Sequence, residues 1–196
     1  MNSVSVLYGA RIGNGNVIFP GAVISAVPQD LKFRGEDTTA EVGDNNKIRE
    51  NVTINRGTAA KGKTCVGSGN LLMESVHVAH DAFVGNDCII GNGTKLAGEI
   101  IIDDHAIISA NVLMHQFCRV GGYTMVGGGT RFSQDIPPYT ICAREPVAYC
   151  GLNLVGLRRR GFSNELIENI HNTYRIIYQG GVPLNEALQK VREEVP

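Results

Sequence analysis

The chain has 196 residues, enough for one good-sized core or one domain with a small appendage. Its formal net charge of −1 gives no footing for a nucleic-acid or anionic-membrane binder. No run approaches the ~18 apolar residues of a membrane span, so no stable membrane insertion is expected. Met1-Asn2-Ser3-Val4 opens neither a basic n-region nor a long apolar h-region, so the expected location is cytoplasmic. The five cysteines, Cys65, Cys88, Cys118, Cys142 and Cys150, are odd in number and contain no CxxC, which argues against a disulfide framework or a cysteine zinc site.

The 24 glycines are spread through an aliphatic sequence, as tight turns between short strands require. In chain order, a six-residue register opens with Ile12, Ile18 and Ile24. It breaks in the stretch Pro28-Gln29-Asp30-Leu31-Lys32-Phe33-Arg34-Gly35, which predicts an insertion over residues 30–41. It resumes at Val42, Ile48 and Ile54, and a second insertion is expected over 60–65. From Val66 every sixth residue is large and apolar: Leu72, Val78, Val84, Ile90, Leu96, Ile102, Ile108, Met114, Val120, Val126 and Phe132. Four residues after each comes a mostly small or β-branched one, such as Ala82, Cys88, Thr94, Ala106, Cys118 and Thr124.

A helix of 3.6 residues per turn does not produce a period of six. The pattern reads as a solenoid of short strands, with one large and one small inward side chain per hexad. Gly, Asn and Asp at the corners would supply positive φ. Three hexads make one triangular coil of 18 residues, and residues 66–137 make four coils. Coils stack at the strand spacing of roughly 4.8 Å. After Pro137-Pro138 the repeat stops, so residues 1–138 form the β-helix and 139–196 a connector and helical region. Ser163 is placed to cap a helix running to about Gln179, with Leu166, Ile167, Ile170, Tyr174 and Ile177 inward. A second helix is expected over about 184–194, with Leu184, Ala187, Leu188 and Val191 inward.

Several motifs now stand in order: Gln29-Asp30-Leu31-Lys32, His77-Val78-Ala79-His80-Asp81 and His115-Gln116-Phe117-Cys118. They are followed by Gln134-Asp135-Ile136-Pro137-Pro138-Tyr139, Gly151-Leu152-Asn153 and Gly156-Leu157-Arg158-Arg159-Arg160-Gly161-Phe162. The hexad alone is shared by many acyltransferases. The ordered set, over nearly the whole chain, resembles the bacterial UDP-N-acetylglucosamine O-acyltransferases that begin lipid A synthesis. The resemblance implies a mainly β fold, a left-handed parallel β-helix followed by a C-terminal helical segment, in a homotrimer. It implies transfer of an (R)-3-hydroxyacyl chain from acyl carrier protein to the 3-hydroxyl of UDP-N-acetylglucosamine, with no cofactor and no metal. Relative to that family the chain is expected to begin about two coils late and to end early.

A sugar hydroxyl attacking a thioester benefits from a base with pKa near seven, which suits histidine. His80 matches the family's base, Asp81 the residue that orients it, and Gly98 the glycine whose N–H receives the oxyanion. The period itself puts Gly98, 18 residues on, one coil directly above His80. His77, His115 and Gln116 match substrate contacts. Asp30 and Lys32 match groups near the acyl hydroxyl and the sugar-nucleotide phosphates. Asn153, Arg159 and Arg160 match the nucleotide end, and Gly128 the limit of the acyl groove. Taken singly, a surface histidine is most often merely solvated, and His105 and His171 are read so; Arg158-Arg159-Arg160 alone would be a solvated charge run.

Three positions depart from the family: Glu99 and Asn55 stand where members carry histidine, and Val155 where an acidic residue is usual. Competing readings are the sister N-acyltransferase of the same pathway, a γ-carbonic-anhydrase-like zinc hydratase using His77, His80 and His115, and a non-catalytic structural β-helix.

Overall fold

The computed structural model describes residues 3–195. Residues 1–151 form one compact unit and residues 152–196 a second. The first unit is a left-handed parallel β-helix with three walls. The first wall stacks Ser5–Val6, Val23–Ala26, Thr53–Asn55, His77–Val78, Lys95–Leu96, Leu113–Met114 and Arg131–Phe132. The second stacks Ala10–Ile12, Thr39–Val42, Lys63–Val66, Phe83–Val84, Ile101–Ile102 and Arg119–Val120. The third runs from Val17–Ile18 through Lys47–Ile48, Leu71–Leu72, Ile89–Ile90, Ile107–Ile108 and Met125–Val126. It is continued by Thr140–Ala143 and Ala148–Leu152.

Every coil repeats the last in register. His77 pairs with Thr53 below and Lys95 above, and Val78 with Ile54 and Leu96. The hexad dictates this, because each two-residue strand turns one side chain in and one out. Ile54, Leu72, Ile90, Leu96, Ile102 and Ile108 are fully buried. Each contributes roughly 1.5–3 kcal/mol of burial. The small inward position holds Asn46 and Asn70 in a buried ladder. Asn16 Oδ1 accepts from Asn46 N at 2.9 Å, Asn46 Oδ1 from Asn70 N at 2.8 Å and Asn70 Oδ1 from Cys88 N at 2.8 Å.

The corners differ from expectation. Positive φ falls not only on Gly, Asn and Asp but on Glu99 (60°), His105 (63°), Phe117 (71°) and Tyr123 (59°). These side chains would resist that conformation in isolation. Here the stacked coils bond the corner backbones, as in Glu99 N to His80 O at 3.0 Å and Tyr123 N to Asp104 O at 3.1 Å.

Both insertions begin and end earlier than the broken periodicity suggested. Strand pairing restarts at Thr39 and Lys63, which face each other in register, so the excursions span 27–38 and 56–62 rather than 30–41 and 60–65. The boundary expected at 138/139 also moves. Thr140–Ala143 pairs with Met125–Val126, so residues read as a connector extend the third wall. Their sequence lost the hexad but kept enough strand propensity to use the exposed edge.

The second unit holds α1 (Leu154–Arg159), α2 (Asn164–Gln179) and α3 (Leu184–Glu194). Ser163 Oγ caps α2, accepting from Leu166 N at 3.1 Å. Ile167, Tyr174 and Ile176 form its buried stripe, whereas Leu166 is exposed. In α3 only Ala187 is buried, and Leu184 and Leu188 face solvent. The short α1 lies within the stretch that the sequence reads as a connector. No helix of the described residues is long and apolar enough to cross a membrane.

Candidate active site

The first wall and the corner after it gather three of the five histidines, His77, His80 and His115. Where an outward first-wall position carries Thr53, then His77, then Lys95, the next outward column carries Asn55, Ala79, Ala97 and His115. The corner column carries His80, Gly98 and Gln116, each one coil above the last. Two alanines between two rims of polar side chains make a shallow floor.

His80 Nδ1 lies 2.9 Å from Asp81 Oδ2. A carboxylate only accepts, so the proton of this bond sits on Nδ1 and the lone pair on Nε2. The Asp81 side chain is fully buried, the His80 ring about 12% exposed. Burial alone would push the Asp81 carboxyl up. Hydrogen bonds from Thr58 and His80 outweigh it and hold the group below the ordinary carboxylate value. Both Asp81 oxygens are engaged by Thr58: its N–H donates to Oδ1 at 2.9 Å and its hydroxyl to Oδ2 at 2.6 Å. The Asp81 N–H donates to Thr64 Oγ1 at 2.8 Å.

Gly98 is glycine for space rather than for backbone freedom. A Cβ there would lie 2.6 Å from His80 Cε1 and 2.7 Å from Nε2. Its backbone therefore approaches the reactive edge of the imidazole as no other residue could. The Gly98 N–H has no hydrogen-bond acceptor among the described residues, while its carbonyl accepts from Phe117 N at 3.3 Å. A base nitrogen and a free backbone donor side by side can take a proton from an attacking hydroxyl and receive the charge on a carbonyl oxygen.

His77 is half-buried, with Nδ1 2.7 Å from Thr53 Oγ1. Burial pushes its pKa down, and the charges of Lys95 and His80 add to that. His115 is exposed two coils above, its Nδ1 3.1 Å from the Gln116 carbonyl. Asp30 and Lys32 lie on the first insertion, which leaves the same corner below His80. Asp30 Oδ1 accepts from Lys32 N at 2.9 Å, and Lys32 is exposed.

Of the remaining expected residues, Gly128 is not brought to His80 within the first unit. Gly128 sits at the opposite corner of the first wall, three coils higher, with its Cβ position 3.3 Å from Ala110 O. Asn153, Arg159 and Arg160 belong to the second unit. There Asn153 Oδ1 caps α1, accepting from Gly156 N at 3.1 Å, and both arginines are exposed at the helix end. Among the described residues no three His, Cys, Asp or Glu groups cluster to hold a metal.

Sequence reading missed Thr53, Thr58, Thr64 and Lys95. Lys95 and Thr64 could have been placed by the period. Thr58 could not, because it lies in an insertion that the period does not index.

The fold and the stacked His–Asp–Gly corner define a hexapeptide-repeat acyltransferase. Residues 135–196 match the family model described as UDP N-acetylglucosamine O-acyltransferase, domain 2. The UDP-N-acetylglucosamine acyltransferase of Bacteroides fragilis is 74% identical, with 98% of this chain and 76% of that one covered and a TM-score of 0.96. LpxA of Acinetobacter baumannii is 37% identical over 97% of this chain and 75% of that one, TM-score 0.92. The Francisella novicida enzyme is 33% identical over 97% and 83%, TM-score 0.90. The chain belongs to the UDP-N-acetylglucosamine acyltransferase family.

Proposed function

We propose that this chain moves an (R)-3-hydroxyacyl group from acyl carrier protein to the 3-hydroxyl of UDP-N-acetylglucosamine, the opening step of lipid A synthesis. The observation that carries the mechanism is the contact between the His80 imidazole and the Gly98 backbone, with Asp81 behind the ring. His80 Nε2 takes the proton of the sugar 3-hydroxyl as its oxygen attacks the thioester carbonyl. The Gly98 N–H donates to the resulting oxyanion. Collapse expels the carrier thiolate, which receives the proton back from the imidazolium. Asp81 keeps the ring in the Nδ1–H tautomer and offsets its charge while it is protonated.

His77, His115 and Gln116 line the path of the acceptor along the first wall. Asp30 and Lys32 reach it from the first insertion, Lys32 toward the phosphates. Asn153, Arg159 and Arg160 hold the nucleotide, for which the bidentate guanidinium fork is suited. Gly128 leaves the acyl groove open for a long chain. The protein works as a cytoplasmic homotrimer, without cofactor or metal, so that residues far from His80 in one chain can meet a neighbour's site.

An acyl-transfer assay with UDP-N-acetylglucosamine and a panel of hydroxyacyl carrier proteins tests this. Replacing the acceptor by its 3-O-acylated, 2-amino form should abolish product; preference for that form would reassign the chain to the N-acyltransferases. His80→Ala should lower turnover by roughly three orders of magnitude or more with the trimer intact by sedimentation. A near-normal rate would sink the assignment of the base.

A further inference from the structure

The 56–62 insertion touches the site at two levels. Its base is pinched: Gly57 N donates to Thr39 O at 3.0 Å, and Thr39 N donates to Gly62 O at 3.0 Å. A Cβ on Gly57 would lie 2.3 Å from Lys63 N, so the two ends of the loop are pressed together. Inside it, Gly62 N donates to Thr58 O at 2.7 Å and Ala60 N to Thr58 Oγ1 at 3.2 Å. The loop is thus a small closed structure, and Thr58 at its root is buried.

From this loop Thr58 donates to both oxygens of Asp81. At the far side Lys61 Nζ lies 3.7 Å from Glu99 Oε2. Glu99 follows Gly98 directly, and its N–H donates to the His80 carbonyl. The loop therefore holds the carboxylate behind the base and, one coil higher, the residue beside the oxyanion donor.

We infer that the 56–62 loop is a positioning device for the transfer site, with Thr58 as its acting residue and the Lys61–Glu99 pair as its upper tether. It rests on the assignment of His80 as base. Without the Thr58 hydroxyl, Asp81 Oδ2 keeps only the histidine as a side-chain partner, and the carboxylate, still held at Oδ1 by the Thr58 N–H, can turn Oδ2 off the imidazole. The ring then loses the hydrogen bond that selects its Nδ1–H tautomer, and the fraction of chains with a lone pair on Nε2 falls. Thr58 touches no reacting atom in this scheme, so substrate affinity is spared.

The test uses the full chain labelled with ¹⁵N-histidine; with five histidines in the sequence, His80 is assigned by comparison with His80→Gln. Thr58→Val should reduce the Nδ1–H population of His80 and lower kcat by about tenfold or more. KM for UDP-N-acetylglucosamine should stay within about twofold. Thr58→Ser, which restores the hydroxyl, should recover both. In an Asp81→Asn background Thr58→Val should cost little more, because the two act through one contact.

Unchanged tautomer and kcat in Thr58→Val would overturn the inference, and so would losses that add to those of Asp81→Asn. Should Thr58→Val not fold, Lys61→Gln carries the test from the exposed tether. A fall of about twofold in kcat with the same direction of tautomer shift supports the inference, and no change overturns it. If the wild-type chain shows the Nδ1–H signature and its loss in Thr58→Val but transfers no acyl group to UDP-N-acetylglucosamine, the positioning device stands and the substrate assignment falls.

Discussion

At the scale of single residues, the site is made by what Gly98 lacks. The imidazole of His80 fills the space a side chain would take. Gly98→Ala should therefore displace the ring and cut kcat by about 100-fold, since small misplacements of a reacting group are costly. Circular dichroism and sedimentation should stay as in the parent protein; an unchanged rate would show that the ring has room. His77 makes a different case. Its folded pKa is held below the ordinary value of about 6.5, first by burial. The unfolded chain then binds a proton that the folded chain resists. Stability is full above about pH 6.5 and declines as pH falls through that value, levelling off below the folded pKa. Replacing His77 by Gln should flatten the urea midpoint on the acid side of pH 6.5, measured by denaturation at fixed ionic strength. An unaltered slope would mean that His77 titrates alike in both states.

At the scale of elements, the hexad made the strands legible and the insertions opaque. All eleven strands between residues 71 and 132 fall where the six-residue register put them. Steric need for one large inward side chain per strand leaves that pattern little choice. An insertion is exempt from the register, so Thr58 could not be placed opposite Asp81 without the fold. The ladder of Asn46 and Asn70 belongs to this scale too. Asn46 Nδ2 donates to Gly67 O at 2.9 Å and its Oδ1 accepts from Asn70 N, so it satisfies backbone groups on the coil above. Asn46→Leu leaves both unpaired, the Asn70 N–H fully buried, at about 1–3 kcal/mol each. The expected loss is roughly 2–6 kcal/mol of unfolding free energy in urea titrations. A neutral result would mean that water or a shifted neighbour replaces the amide.

At the scale of the molecule, a solenoid separates its jobs along its axis. His80 lies at one level of the first wall and Gly128 three coils higher at the opposite corner. That distance, on the order of 14 Å, is three strand spacings. It suits a groove measuring chain length rather than a second reacting group. Gly128→Met should shorten the longest acyl chain accepted, read from kcat/KM across a carrier-protein series. An unaltered chain-length limit would remove Gly128 from the groove.

The amino-acid sequence by itself determined the repeat, the three walls, the stacking of Gly98 on His80 and the cap of α2, because each follows from local periodicity or a local hydrogen bond. The tertiary structure alone decided what depends on contacts between coils. Glu99 and Phe117 accept positive φ because neighbouring coils bond their backbones. Residues 140–152 join the third wall because its edge offers unpaired strand groups. Asp81 stays ionised in a buried place because Thr58, far from it in the register, meets both its oxygens. Periodicity reports what each coil must do alike, and the chemistry of this site lies in what one loop does differently.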